Sequence, residues 1–214
     1  MSITFPRTDI MTMVSYSSDT QPPQLVSRQE MSRQNDGRTI GKDLGPALWK
    51  ADYATIPLLN DAAIAFEAAL DSLDGVIQTF EACDLRRVMP LLYPGGTGAN
   101  NGTLLSVNAN NKALALAGLA AGQVVSVGDY LSFTYGTARA LHRVVEAVTA
   151  NGSGVTAQFE VRPHLRTGWT LSPSTAVTLK NPRGIFSLVP GSVSSKSYGA
   201  LYSVVSFQAV QAIE

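Results

Sequence analysis

Apolar residues in this chain fall mostly at every second position, in short runs broken by Gly, Pro, Asn and Ser. Alternation at that period sends successive side chains to opposite faces of an extended strand, so the pattern predicts a β-rich protein. "PQLVSRQEMSR" and "RTIGKDLG" flank the turn-forming "QNDG" and predict a hairpin. In "LWKADYATIPL", Trp49, Ala51 and Tyr53 share one face, Lys50 and Asp52 share the other, and Pro57 ends the strand. One stretch has a different period. Within "NDAAIAFEAALDSLDG", Phe66, Ala69, Leu70 and Leu73 recur at three- and four-residue spacings, which predicts a helix over 61–74 with one apolar stripe. Asn60 or Asp61 is expected to cap its start, and Gly75 to stop it in the left-handed conformation. Asp71 and Asp74 read as solvated helix surface, and "VIQTFEACDL" as a strand that the helix covers.

After Pro90 the texture changes. "YPGGTGANNG" has the composition of a flexible linker, without the Gly-Lys-Ser/Thr ending of a P-loop or the strand–GxGxxG–helix register of a dinucleotide site. Short strands follow: "TLLSVN", "ALALAGL", "DYLSFTY", "ALHRVVEAV", "VTAQFEVRP", "AVTLK" and "IFSLV". In "VTAQFEVRP", Val155, Ala157, Phe159 and Val161 are expected on one face, and the preceding "NGSG" signals a hairpin with "ALHRVVEAV". Such spacing predicts a small barrel or sandwich without a helix. The closing "LYSVVSFQAVQAIE" is strand-like and needs a sheet to join. Its expected return to the first unit makes residues 1–96 with 195–214 one domain and residues 97–194 an inserted all-β domain. No internal repeat is apparent.

Composition adds a hint of assembly. Of 214 residues, 45% are hydrophobic and only 15% charged. That is fewer charges than a solitary soluble domain usually carries, which suggests surfaces buried against neighbours. Net charge is zero, yet residues 1–96 hold eight Lys and Arg against twelve Asp and Glu, and residues 97–194 hold seven against three. The lone Cys83 excludes an intrachain disulfide or a cysteine zinc cluster and reads as a buried thiol. "MSITFPRTD" lacks the basic start and apolar core of a secretory signal, and "ALALAGLAA" is too short to cross a bilayer. The expectation is a protein made in the cytoplasm that stays soluble or joins an assembly.

Candidate chemistry is sparse. His142 shares an alternating set with Val144, Glu146 and Val148, a mixed face; His164 lies in the turn "RPHLRTG". Neither stands in an HExxH-like spacing, no G-x-S-x-G elbow occurs, and both histidines are expected to be structural or at the surface. Asp129 is expected to cap a turn. Arg162, Arg166 and Arg183 form a loose basic set suited to a neighbour's carboxylates. "NGT" at 101–103 and "NGS" at 151–153 read as turns. No catalytic, cofactor-binding or metal-ligating residue emerges, no cofactor is expected, and the reading is not an enzyme.

"LGPALWKADYATIPL", "FEAALDSLDGVIQTFEACDLRRVMP", "AGQVVSVGDYLSF", "ALHRVVEAV", "FEVRPHLR", "VTLKNPRG" and "VSFQAVQAIE", in that order, resemble tail structural proteins of long-tailed bacteriophages, related prophages and gene-transfer particles, most of all distal tail proteins. The resemblance runs from about residue 40 to the end and rests on order and texture. It implies a mainly β fold with one clear helix: a tail-tube-like β-sandwich or split barrel, plus an inserted small β-barrel or β-sandwich. It further implies a virion structural protein in a hexameric ring that joins the tail tube protein to the tip hub or baseplate. DNA would pass through the lumen, with no membrane insertion and no catalytic residues. The protein would be made in the bacterial host cytoplasm and reside in the virion tail. Ring closure also has a physical motive, because it pairs open sheet edges that otherwise invite aggregation. The rival expectations are another tail component, such as a tube or baseplate subunit, and a glycan- or receptor-binding module using Tyr130, Tyr135 or Trp169.

Overall fold

A computed structural model describes residues 3–135, 138–166 and 174–213, with Tyr198 described in its backbone alone. Among the described residues the chain is mainly β, with two helices. After a one-turn α1 (Ile10–Met13), β1 (Gln21–Arg33) and β2 (Thr39–Ala54) form the hairpin that "QNDG" predicts, with Arg33 opposite Thr39 at its tip. Pro57 follows β2, and β3 (Leu58–Leu59) leads directly into α2 (Asn60–Asp71) and then β4 (Thr79–Ala82).

Eight short strands come next: β5 (Gly102–Val107), β6 (Ala113–Ala117), β7 (Val124–Val125), β8 (Tyr130–Tyr135), β9 (Ala138–Val144), β10 (Val148–Thr149), β11 (Phe159–Arg162) and β12 (Ala176–Thr178). The chain ends with β13 (Gly184–Leu188), β14 (Ser194–Tyr198) and β15 (Tyr202–Gln211).

The terminal strand returns to the first unit. β15 runs antiparallel to β2, with Phe207 opposite Tyr53, in a seven-stranded sheet of order β1-β2-β15-β13-β4; β3 and β14 also pair with β15. "IFSLV" belongs to this sheet rather than to the insert: it is β13, paired with β4 and β15. The junction expected after residue 194 therefore falls just before Gly184. A five-residue apolar run carries no mark of which sheet it will join, because its partners lie far away in sequence.

Alternation decides which side of the sheet is dry. Trp49, Ala51 and Tyr53 from β2 point the same way as Phe80, Phe186 and Phe207, and α2 lays Phe66, Ala69, Leu70 and Leu73 onto them. The rings of Tyr53, Phe66 and Phe80 stand 5.3, 6.1 and 6.1 Å from that of Phe207. Each fully buried side chain of this size stabilises the fold by roughly 1.5–3 kcal/mol.

The helix starts differently from the expectation. Leu59 takes the capping position without a side-chain bond, while the Asn60 amide donates to the Ala200 carbonyl and its oxygen accepts from the Ser203 hydroxyl. Asn60 thus fastens α2 to the sheet instead of capping it, and Asp61 lies in the first turn. At the other end Asp74 (φ 48°) and Gly75 (φ 68°) both enter the left-handed region and stop the helix.

Six strands of the insert close into a barrel, in the order β11-β6-β5-β12-β8-β9, with β9 also paired to β11. Leu114, Leu116, Leu131, Phe133, Phe159 and Val161 fill it. "VTAQFEVRP" is strand only over its second half: Phe159 and Val161 point inward as expected, but Thr156 is buried and Ala157 is exposed. The Thr156 backbone N–H donates to the Leu116 carbonyl while its hydroxyl accepts from the Leu116 N–H, a side-chain bond that irregular backbone permits. β10 pairs with β7 in a separate two-stranded ladder, so "ALHRVVEAV" leaves the barrel wall after Val144.

The barrel is bolted to the sheet. The outer face of β8 and β9 contributes Tyr130 and Leu141 to the sheet's core. Trp49 Nε1–H donates to the Leu141 carbonyl at 2.8 Å, and the Arg143 guanidinium lies 5.2 Å above the indole. A Cβ on Gly184 would stand 3.0 Å from Leu141 Cβ, so a side chain there would push Leu141 back by a few tenths of an ångström. The expected linker is itself stitched down: Gln123 exchanges hydrogen bonds with Asn100, and the Tyr93 hydroxyl accepts from the Val124 N–H.

Candidate assembly surfaces

The residues singled out for chemistry turn out to hold the fold. His142 is fully enclosed, its ring stacked on Phe133 (centroids 5.3 Å apart) and its Nδ1 2.8 Å from the Pro163 carbonyl. Burial presses its pKa down to about 4, so it is neutral at pH 7, and Nδ1 carries the proton donated to Pro163. His164 lies elsewhere, beside the groove between the β1–β2 hairpin and the barrel. Among the described residues no group of three or more His, Cys, Asp and Glu is placed to hold a metal ion. Cys83 is buried just past β4, with its thiol pushed up to about 11 chiefly by desolvation.

Asp129 caps its turn by accepting from the Ser126 N–H at 2.9 Å. Its other oxygen accepts from the Leu91 N–H at 2.8 Å and from Arg87 at 3.2 Å, which ties the connector to the barrel. The arginine set splits. Arg162 and Arg166 line the hairpin groove, Arg162 bonding Glu160 at 2.7 Å, while Arg183 stands at the seam beside Glu81. Asn151 accepts from Ser153 and Val155 N–H and forms a turn; Asn101 instead accepts from Leu179 and Lys180 and cross-links two strands' ends. Tyr130 and Tyr135, the rings that the rival glycan-binding reading would use, are 3% and 9% exposed. Tyr130 faces Trp49 at 5.7 Å and donates to Asp84, and Tyr135 packs edge-on to Phe133, so neither ring presents a face to a ligand. Trp169 lies outside the described residues.

What remains open is edge and arm. The barrel has no free edge, and the outer edge of β4 is covered by the N-terminal segment: the Arg7 N–H donates to the Thr79 carbonyl and its carbonyl accepts from Glu81. Among the described residues β1 pairs only with β2 and β14 only with β15, on opposite borders of the sheet. Both free edges carry polar guards, Arg28 and Glu30 on β1 and Lys196 among serines on β14, which discourage indiscriminate pairing.

Beyond Val26 the hairpin projects as an exposed two-stranded arm, with Met31 80% and Ile40 51% exposed. A second apolar patch gathers Leu59, Leu201 and Tyr202, where Tyr202 pairs with Leu59. A third, Ile77 with Phe5, edges a cleft of 260 Å³ at the other end of α2. Residues 51–85, which include that helix, hold seven Asp and Glu and no Lys or Arg. Sequence reasoning found the hairpin and the charge imbalance; it missed the exposure of Met31 and Ile40, since alternating residues read as an ordinary half-buried strand. Among the described residues no helix is long and apolar enough to cross a membrane. No protein-family model matches the chain, and no curated protein matches it.

Proposed function

We propose that this chain is a virion structural protein, the distal ring of a long-tailed phage or phage-derived particle. In this reading identical copies, six to a ring, link the tail tube protein to the tip hub and surround the passage for DNA. The observation that carries the reading is the contrast within one chain between a barrel with no edges and a sheet with two. β1 and β14 lie on opposite borders, so a head-to-tail contact of one copy's β1 with the next copy's β14 can repeat, and it makes a ring where the rotation per copy divides a full turn. The arm, with Met31 exposed on one face and Ile40 on the other, extends that contact along the neighbour.

A tail-tube-like first unit fits these features, with the fixed barrel projecting as a platform for hub or fibre proteins. The seven-acid, base-free stretch from residue 51 to 85 suits a particle whose channel must not hold DNA, because carboxylates repel phosphates. A tube or baseplate subunit would share the same build; copy number per particle separates these, with stacked rings for a tube and a single ring for an end adapter.

Sedimentation and negative-stain imaging test the reading. The purified chain is expected to form closed rings with a central hole and to cap tube-protein assemblies. A chain that stays monomeric at high concentration and joins neither tube nor hub proteins overturns it.

A further inference from the structure

A cleft of about 400 Å³ opens where barrel, sheet and returning chain meet. Its barrel wall follows from strand alternation. Leu131, Phe133 and Val177 point into the barrel core, so Ser132, Thr134 and Thr178 point out, with Thr178 opposite Ser132 across the β8–β12 ladder. Three cations join these hydroxyls: Arg139 from β9, and Lys180 and Arg183 from the segment leading into β13. Glu81 is the one acid among the lining residues. It bonds Arg139 and lies 3.8 Å from Arg183, whose guanidinium also donates to the Thr8 carbonyl at 3.0 Å. Among the described residues the Lys180 ammonium has only the Gly96 carbonyl, at 3.5 Å. The lining of this cleft thus holds one carboxylate, already shared by two arginines, against three cations and several hydroxyl donors.

Uncompensated positive charge in a partly dry cleft is unfavourable unless a counter-ion joins it. Guanidinium, ammonium and hydroxyl groups converging from several sides match an acceptor-only group with oxygens in several directions. We propose that this cleft binds a phosphate group, either as inorganic phosphate or as the phosphate of a small organic monoester, and that the bound anion clamps the barrel to the sheet. Ser132 already accepts from the Arg183 backbone N–H at 3.3 Å, which leaves its hydroxyl proton free to donate.

The clamp makes binding visible as stability, since a ligand held only by the folded state raises Tm. Thermal unfolding of the full chain is followed in inorganic phosphate, in thymidine 5′-monophosphate and in chloride, at one ionic strength and pH. Phosphate at about ten times its dissociation constant is expected to raise Tm by about 3–5 °C over chloride. Lys180→Ala and Thr178→Val should each weaken the apparent affinity, Lys180→Ala by about tenfold or more. Lys196→Ala, on the distant β14 edge, should leave it unchanged. A rise with the nucleotide but not with phosphate places the group on an organic carrier. The proposal falls if neither ligand exceeds chloride, or if Lys180→Ala and Lys196→Ala respond alike.

Discussion

The imidazole of His142 lies wholly inside the barrel, flat against Phe133, with Nδ1–H given to Pro163 and Nε2 without a hydrogen-bond partner among the described residues. Protonating Nε2 would place a charge in a dry core with nothing to receive its proton. Its pKa therefore drops from the ordinary 6.5 to about 4. Between those values the unfolded chain binds the proton and the folded chain does not, so stability falls as pH falls. The contribution is complete above pH 6.5 and is lost progressively towards pH 4, by about 3 kcal/mol in all. Urea unfolding at pH 5 and pH 7 measures this, and His142→Phe should flatten the difference. An unchanged pH slope in that variant would assign the effect to another group. At this scale the sequence was partly legible. The absence of ligand spacing was plain, whereas the histidine's burial was hidden by Glu146. That residue falls after β9 has ended and so is not on the histidine's face at all.

Elements that pair locally were the legible ones. α2 follows from a 3.6-residue stripe, and β1–β2 from a turn of Gln, Asn, Asp and Gly between alternating runs, because both patterns are complete within about thirty residues. The membership of β13 and the irregular half of "VTAQFEVRP" were not, since each depends on a partner, β4 or Leu116, supplied from far away. The arm belongs to a further class: its pattern predicts the strands correctly, but not that Met31 and Ile40 stand exposed beyond the groove it shares with the barrel. Solvent already surrounds Met31 and Ile40, so Met31→Glu with Ile40→Glu should change the stability of the isolated subunit by no more than about 1 kcal/mol. The same pair should abolish ring formation if the arm lies on a neighbour. Tm and sedimentation read the two effects separately, and rings that survive the double substitution would remove the arm from the interface.

On the scale of the whole molecule, two ways of treating a sheet edge coexist. Six strands of the insert close on themselves, while the main sheet covers the β4 edge with residues around Arg7 and, among the described residues, leaves the outer edges of β1 and β14 open. Trp49, Tyr130, Arg139 and Asp129 lock the two parts, so a partner that seizes the sheet also fixes where the barrel points. That division makes amide exchange a discriminating measurement, because an edge N–H facing water exchanges freely and one bonded to a neighbouring strand does not. The Met31→Glu, Ile40→Glu subunit supplies the unassembled reference. In assembled wild-type rings, amides within residues 21–33 and 194–198 should exchange at least about tenfold more slowly than in that reference. Those of β5 and β6, already paired inside the barrel, should exchange alike in both. Protection confined to the barrel, with β1 and β14 still exchanging freely, would mean that copies meet through the insert and that the sheet's borders serve a different partner.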